Sequence, residues 1–542
     1  MERSENFNQV YSDYLHTNKA FWHRFSPKPS ELNSEYIAVD AMVDFPSYIL
    51  GNLIIAKYLQ SFTGCRILAI VRNPEQLARW KELFVSFSVD EVFFVMVDEP
   101  FPYSIKLEDI IKEKEGPGLR ESLLHIEING LPVGDLIYDA YLRDTGEPTV
   151  FQMNSTLESY IRISIQFYDR YTLLIKNKKI MHCIVGHTIY LLYGILARIA
   201  VRSGAIVYGR KPGSSPLTIM RYENLNDFPM FELDISANQF EKLFSARKEK
   251  AIAYGNDFLF RRFAGEAAGP WTAFTAYSKD RVSYSRDEFK KKCRIHNDKP
   301  IAFLLSHAFS DAPHSYPEML YHDYYDWLHS TLDMVATIND VNWIVKAHPE
   351  DKHFLSKIDH AAKLAKQYST LHENIYVCPD NLNTASLFGT ADCLITVRGT
   401  CSLEFSAIGI PCIVAGMGPY TSLGFLRESE SQEQYHLLLS GLKDNISSLN
   451  QPEMDRAKTA LFYCQYVLMV DCFFIPGIMP NWWTPFDPVD FWNAAKASLD
   501  LCYVQNDPLY KNFKVQFDHG LKQLQRFDEF PELVPIHKDS LG

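Results

Sequence analysis

Twice along this chain, short apolar runs of strand length alternate with longer amphipathic runs of helical spacing. The first series holds YIAVDAMV (36–43), SYILGNLIIAKYLQSF (47–62), RILAIVR (66–72), PEQLARWKELFVSF (74–87) and EVFFVMV (91–97). Within 47–62, Ile49, Leu53, Ile54 and Leu59 recur with helical period. KIMHCIVGH (179–187), a helical run closed by Gly204 and AIVYGR (205–210) continue the pattern. A second series starts at PIAFLLSHAF (300–309) and passes through NWIVKAHPE (342–350), NIYVCP (374–379) and DCLITVRGT (392–400) to PCIVAG (411–416). Strands separated by helices of this length predict parallel sheets of βαβ units. Two such series predict two Rossmann-like domains with a cleft, and ligands beyond the carboxyl ends of the strands.

Length agrees, since 542 residues at roughly 150 per domain allow two to four domains. The basic, polar stretch 281–300 ends in Pro300 before a new apolar strand, so the boundary is set there. The expected division is 1–290, 291–475 and a helical segment, 476–542, packing back on the first domain. The net charge of −12 argues against a nucleic-acid partner, whose phosphates need clustered Lys and Arg. Ten scattered cysteines form no CxxC pair, which disfavours structural zinc and a disulfide framework. The polar N-terminus lacks a signal-peptide core, and the most apolar stretch, 180–197, carries two histidines and two glycines. A cytoplasmic protein with reduced thiols is expected. The Trp482 and Trp483 pair suggests a peripheral contact at the inner face of a membrane.

The chemistry is sought in the loops after the strands. In 389–425 an apolar strand runs into Arg398, Gly399, Thr400, Cys401 and Ser402, followed by a helix carrying Glu404. Small hydroxyl residues at a helix N-terminus suit an anion, and Glu404 suits the hydroxyls of a ribose. An ordinary helix cap is the alternative. About 50 residues earlier, Lys346 and His348 precede or meet Pro349 at another strand end, where His348 can hydrogen-bond a phosphate. The loop after 301–305 offers Ser306, His307, Ser310 and Asp311 as donor contacts, or as a solvated polar loop. In the first domain, Asp135, Asp139 and Arg143 share one helical face among apolar neighbours. They read either as a surface ion-pair ladder or as the setting of a base, Asp139, on an acceptor hydroxyl. His187, ending a strand, is a second catalytic candidate. Asp40 and Asp44 lie at the first βα junction.

The K-x-HP turn, the Gly-Thr-x-Ser loop, the helical Glu and the following G-x-P-x-I-x-x-G resemble GT-B glycosyltransferases. They are most similar to the bacterial capsule and lipopolysaccharide biosynthesis family that includes the Kdo transferases. Arg398, Gly399 and Thr400 stand where that family carries Asn-Ser-Thr, and Phe405 where it carries Ala. The resemblance covers about 300–425. It implies an α/β GT-B fold, with a nucleotide-sugar site in the second domain and C-terminal helices crossing back to the first. It also implies transfer of a sugar, with Kdo from CMP-Kdo the best single guess, to a surface polysaccharide or glycolipid acceptor. No cofactor or metal is expected beyond the nucleotide sugar. A UDP- or GDP-sugar transferase, a sugar-nucleotide 2-epimerase and a non-catalytic polysaccharide-binding protein are the rival readings.

Overall fold

A computed structural model describes residues 5–96, 118–211, 214–228, 235–266, 276–316, 319–349, 360–477 and 487–535. Trp482 and Trp483, the suggested membrane contact, lie outside the described residues.

The first half is built on β1 (Tyr36–Asp40), β2 (Arg66–Val71), β3 (Glu91–Phe94), β6 (Ile180–Val185), β7 (Ile206–Lys211) and β8 (Thr218–Tyr222). A two-residue hairpin, β4 (Glu127–Ile128) and β5 (Leu131–Pro132), stands apart from that sheet. The sheet order is β3-β2-β1-β6-β7-β8, parallel except for the last strand. The second half is built on β9 (Ile301–Leu305), β10 (Asn342–Lys346), β11 (Ile375–Val377), β12 (Cys393–Thr396) and β13 (Cys412–Val414). Its order is β11-β10-β9-β12-β13, all parallel. Both sheets reverse direction of build between their first strand and a later one, which is where open α/β sheets admit ligands. The chain thus holds two Rossmann-like α/β halves in tandem.

The central strands β1, β6, β9 and β12 are buried nearly throughout, as parallel strands covered by helices on both faces must be, while the edge strand β3 is half-buried. On one face of the first sheet, the helices Glu5–Phe25 and Pro488–Leu501 close the core together, with Tyr14 and Trp492 rings 4.7 Å apart. The C-terminal chain thus packs against the first half. The helix Ala237–Phe263 packs against Gln451–Phe462, and its Phe240, Leu243 and Leu259 join the core under β9 and β12. The sequence division at residue 290 assigns that helix to the first domain, but its packing partners belong to the second half. No helix among the described residues is long and apolar enough to cross a membrane.

The halves meet along the helix Gly134–Thr145. Tyr138 donates to Asp323 (2.6 Å), His314 contacts Asp139 (2.6 Å), and Arg143 lies 3.4 Å from Asp311. Beside this seam is an interdomain cavity of about 810 Å³, bordered by Glu121 and Asp135 of the first half and Tyr316 and His322 of the second.

His182 on β6 is 7% exposed, its Nδ1 has no partner among the described residues, and burial, then Arg221, lowers its pKa to about 4. An unfolded histidine titrates near 6.5, so on acidification the unfolded chain takes up the proton first. The stability due to neutral His182 is therefore complete above about pH 6.5 and lost as pH falls towards 4. Replacing it by Phe is expected to cut the stability lost between pH 7 and 4.5 by about 2–3 kcal/mol, measured by urea unfolding at both pH values.

Candidate functional site

Three strand ends of the second sheet converge where its order reverses. β9 runs into Ser306 and His307, β10 ends at Lys346 just before His348, and β12 runs into Arg398, Gly399 and Thr400. His307, Lys346, His348, Gly399, Thr400 and Glu404 line one recess of about 130 Å³, with Ser306, Arg262 and Tyr277 also on its wall. That is well under the ~300–1,000 Å³ of pockets that hold a whole ligand, and suits a phosphate and its immediate neighbour.

The recess is assembled by hydrogen bonds between loops. The His348 backbone N–H donates to Ser306 Oγ at 2.9 Å, tying the β10 loop to the β9 loop. His307 Nε2 accepts the Arg398 backbone N–H at 3.3 Å and lies 3.1 Å from Thr396 Oγ1, tying β9 to β12. Since Nε2 accepts, a neutral His307 carries its proton on Nδ1. Its ring stacks on Tyr324, centroids 4.2 Å apart. A side chain at Gly399 would bring a Cβ to 3.0 Å from Thr396 Oγ1 and 3.1 Å from Cys401 Sγ, so glycine lets the loop close.

Electrostatically, the recess combines one strong cation with neutral imidazoles. Burial, followed by the Lys346 charge, lowers His348 to about 4. Burial, with His348 and Arg398 adding to it, puts His307 well below its ordinary value. Lys346 is itself lowered by burial, and among the described residues no carboxylate pairs with it. An arriving phosphate would meet Lys346 and raise the proton affinity of both imidazoles.

Other candidates stand differently. The helix Cys401–Ser406 has six residues, and the N–H groups of Ser402, Leu403 and Glu404 already bond to the carbonyls of Gly399 and Thr400. The anion site thus cannot rest on that whole helix terminus as the sequence suggested. Ser402 is buried, does not line the recess, and donates its hydroxyl to Gly399 O at 2.8 Å. Glu404 reaches the recess, but Arg262 holds Oε1 at 2.7 Å and the Tyr277 hydroxyl donates to Oε2. Both of its carboxylate oxygens are thus held by protein donors, where the sequence expected ribose hydroxyls. Arg398 is not on the recess wall: its Nη1 donates to Tyr316 O at 3.1 Å, and its guanidinium lies over the Tyr316 ring. Asp311 is exposed and faces Arg143 across the seam instead of the recess.

In the first half, Asp139 is 2% exposed and both its oxygens are occupied by His314, one by the ring and one by the backbone N–H at 3.2 Å. His314 Nε2 faces the His322 carbonyl at 2.7 Å, so both ring nitrogens meet acceptors. The pair therefore holds one proton more than a carboxylate with a neutral imidazole. This corrects the assignment of Asp139 as a base: a carboxylate enclosed in such a pair has no open edge for an acceptor hydroxyl. The Asp135, Asp139, Arg143 face is not a ladder along its own helix either. Its partners are Arg198, His314 and Asp311, each from another element. His187 is exposed at the end of β6, with the Tyr193 ring 5.7 Å away and the Tyr48 ring 6.4 Å away.

Arg262, Tyr277 and Tyr324 carry no local signal that marks them in the sequence. Arg262 ends a long amphipathic helix as one of two adjacent arginines, Arg261 and Arg262, and nothing nearby distinguishes which of them turns inward.

A family model described as capsule polysaccharide biosynthesis protein matches residues 322–451, the stretch holding Lys346, His348 and residues 398–404. No curated protein matches the chain. Among solved structures, a KpsC beta Kdo 2,4 transferase from Thermosulfurimonas dismutans is similar at 12% identity and TM-score 0.33, covering 56% of this chain and 88% of that one. A UDP-GlcNAc 2-epimerase from Neisseria meningitidis bound to UDP-GlcNAc is similar at 10% identity and TM-score 0.22, covering 79% and 99% respectively. The wall teichoic acid polymerase TagF is similar at 9% identity and TM-score 0.21, covering 85% and 93%.

Proposed function

We propose that this protein is a metal-independent glycosyltransferase of capsule-type polysaccharide synthesis, taking its sugar from a nucleotide donor whose phosphate sits in the His307, Lys346, His348 recess. The observation that carries the reading is the meeting of those three residues with Gly399 and Thr400 at the reversal point of the second sheet. In this reading the glycosyl bond breaks towards an oxocarbenium-like transition state and negative charge grows on the leaving phosphate. Lys346 offsets that charge, and His348 donates a hydrogen bond to it. His187, at a strand end of the first half, is the candidate base on the acceptor hydroxyl.

A CMP-activated acidic sugar, with Kdo the best single candidate, is the donor we favour. A CMP donor carries one phosphate. The recess offers one cation, Lys346, without a described carboxylate partner, while Arg262 is paired with Glu404 and Arg398 is turned to Tyr316. A pyrophosphate donor would call for a further cation.

Thermal unfolding in the presence of CMP, UDP and GDP tests this. A nucleotide at 100 times its Kd is expected to add about 2.7 kcal/mol of apparent stability. CMP is expected to do so and the others not, with CMP release from CMP-Kdo continuing in EDTA. A shift with UDP or GDP alone rejects the CMP donor. Epimer formation without nucleotide release rejects transfer, and no shift with any nucleotide rejects the donor site.

A further inference from the structure

We propose that a cavity at the amino edge of the second sheet is a phosphate-binding site, formed by Lys292, Arg294 and Lys299 together with His296 and His372. The inference is independent of the transferase reading, because the donor recess lies at the opposite edge of that sheet.

The order β11-β10-β9 sets three strand starts side by side. Asn342 is in register with Ile301, and Trp343 with Ile375, so these strands begin at nearly the same level. Two segments bring charge to this edge. The helix Arg286–Cys293 and the stretch leading from it into β9 supply Lys292, Arg294, His296 and Lys299, and the turn before β11 supplies His372 and Glu373. The left-handed turn at Arg294 (φ 60°) reverses the chain, so that Lys292 before it and His296 after it border the same space. That space is a cavity of about 810 Å³, within the ~300–1,000 Å³ of ligand pockets. β10 runs from Asn342 at this cavity to Lys346 at the donor recess, roughly 13 Å away along the strand.

The charge on this wall is opposite to that of the whole chain. Lys292, Arg294 and Lys299 meet one carboxylate, Glu373, among the described residues of the lining, whereas the chain carries a net charge of −12. Nearby carboxylates are engaged elsewhere: Asp298 holds Lys290 at 2.7 Å, and Asp340 lies 3.9 Å from Lys443. Lys299 gives one proton to the Asn339 carbonyl at 2.7 Å, which leaves two for a ligand. Lysines in the last turn of a helix also balance its macrodipole. That accounts for Lys292 but not for Lys299 or His372, which precede β9 and β11.

Three cations against one carboxylate leave two charges to balance, which matches a phosphate dianion better than a single carboxylate group. A tetrahedral oxyanion also accepts from several directions at once, and a guanidinium fork, two ammonium groups and two imidazoles supply donors from both segments. Asn374, also on the wall, is 5% exposed and fixed by donating from Nδ2 to the Val335 and Ile338 carbonyls, at 2.8 Å each. Its Oδ1 has no donor among the described residues, and a ligand hydroxyl or a bound water would meet that need. A free phosphate compound and a phospholipid headgroup carry the same group. Leu371, adjacent in sequence to His372 and 76% exposed, adds an apolar side chain beside the cations.

Two probes of the full chain test the site: inorganic phosphate by calorimetry at low salt, and cosedimentation with vesicles of phosphatidylcholine alone or of phosphatidylcholine and phosphatidic acid in equal parts. Binding of inorganic phosphate without the vesicles assigns a free phosphate compound, and binding to the phosphatidic acid vesicles assigns a lipid headgroup. In either case Lys292→Gln and Arg294→Gln are each expected to weaken binding about fivefold, and the double variant about 20-fold. Both side chains are exposed, so the variants are expected to fold. Lys511→Gln, the same charge change on the helix Pro508–Asp518, should leave binding unchanged. Salt should weaken it in the wild type. Wild-type binding in the double variant, equal loss in Lys511→Gln, equal binding to phosphatidylcholine alone, or no binding of either probe would overturn the proposal. Nucleotide-induced stabilisation should be unaltered in every variant, so failure of the donor reading shows in that assay and failure of this site shows with phosphate and vesicles.

Discussion

Replacing His348 by Ala is expected to lower transfer about 10²-fold or more, with the loss in kcat and little change in nucleotide affinity. The imidazole stands at the strand end facing the recess and is neutral at physiological pH, with a pKa near 4. A neutral donor interacts weakly with a ground-state phosphate that Lys346 already balances. It contributes most when charge grows on the leaving oxygen, so its removal raises the barrier more than it weakens binding. His348→Gln keeps an N–H donor and should recover part of the loss. Steady-state kinetics with kcat and KM resolved, together with nucleotide affinity by calorimetry, check this. Activity within threefold of wild type in the Ala variant would remove His348 from the mechanism.

Replacing Arg262 by Ala is expected to cost about 3–5 kcal/mol of stability. Arg262 and Glu404 side chains are 4% and 6% exposed and meet at 2.7 Å. Alanine would leave the Glu404 carboxylate buried with Tyr277 as its hydrogen-bond donor and no ion-pair partner among the described residues. The penalty of an uncompensated buried charge exceeds what the intact pair contributes, so an Arg262→Met, Glu404→Leu double variant should recover most of the loss. Set against a typical domain stability of about 5–15 kcal/mol, the single change approaches unfolding of the second half. Urea unfolding followed by tryptophan fluorescence, with the slope held against wild type, measures it. Equal destabilisation in single and double variants would show that packing, not the buried charge, dominates.

The strand-end loops of the second half are legible in the amino-acid pattern itself. Parallel strands buried on both faces read as apolar runs, and the turn after each is forced to the same edge of the sheet. Hence Lys346 and His348 on one loop, and Gly399 and Thr400 on another, arrive together with His307 although nearly a hundred residues separate the ends of the set. The first half is legible for the same reason, and His187 falls at a strand end as its sequence implies. The division of the chain is less so. Residues 237–263 are amphipathic wherever they pack, and periodicity does not say which sheet their apolar face will cover.

Local sequence determined which backbone segments form strands, where their loops emerge, and that a small-residue loop meets a histidine at one sheet edge. Tertiary structure alone decided what each polar side chain does there. Asp139 has the sequence setting of a base on an apolar helix, yet His314, 175 positions away, occupies both its oxygens. Arg398 has the setting of a phosphate cation, yet the Tyr316 carbonyl takes one of its donors. Glu404 has that of a ribose acceptor, yet Arg262 and Tyr277 reach it. The reason is physical: strand and helix follow from short-range periodicity. The fate of a buried charge depends on which distant donor or acceptor the packing brings within about 3 Å.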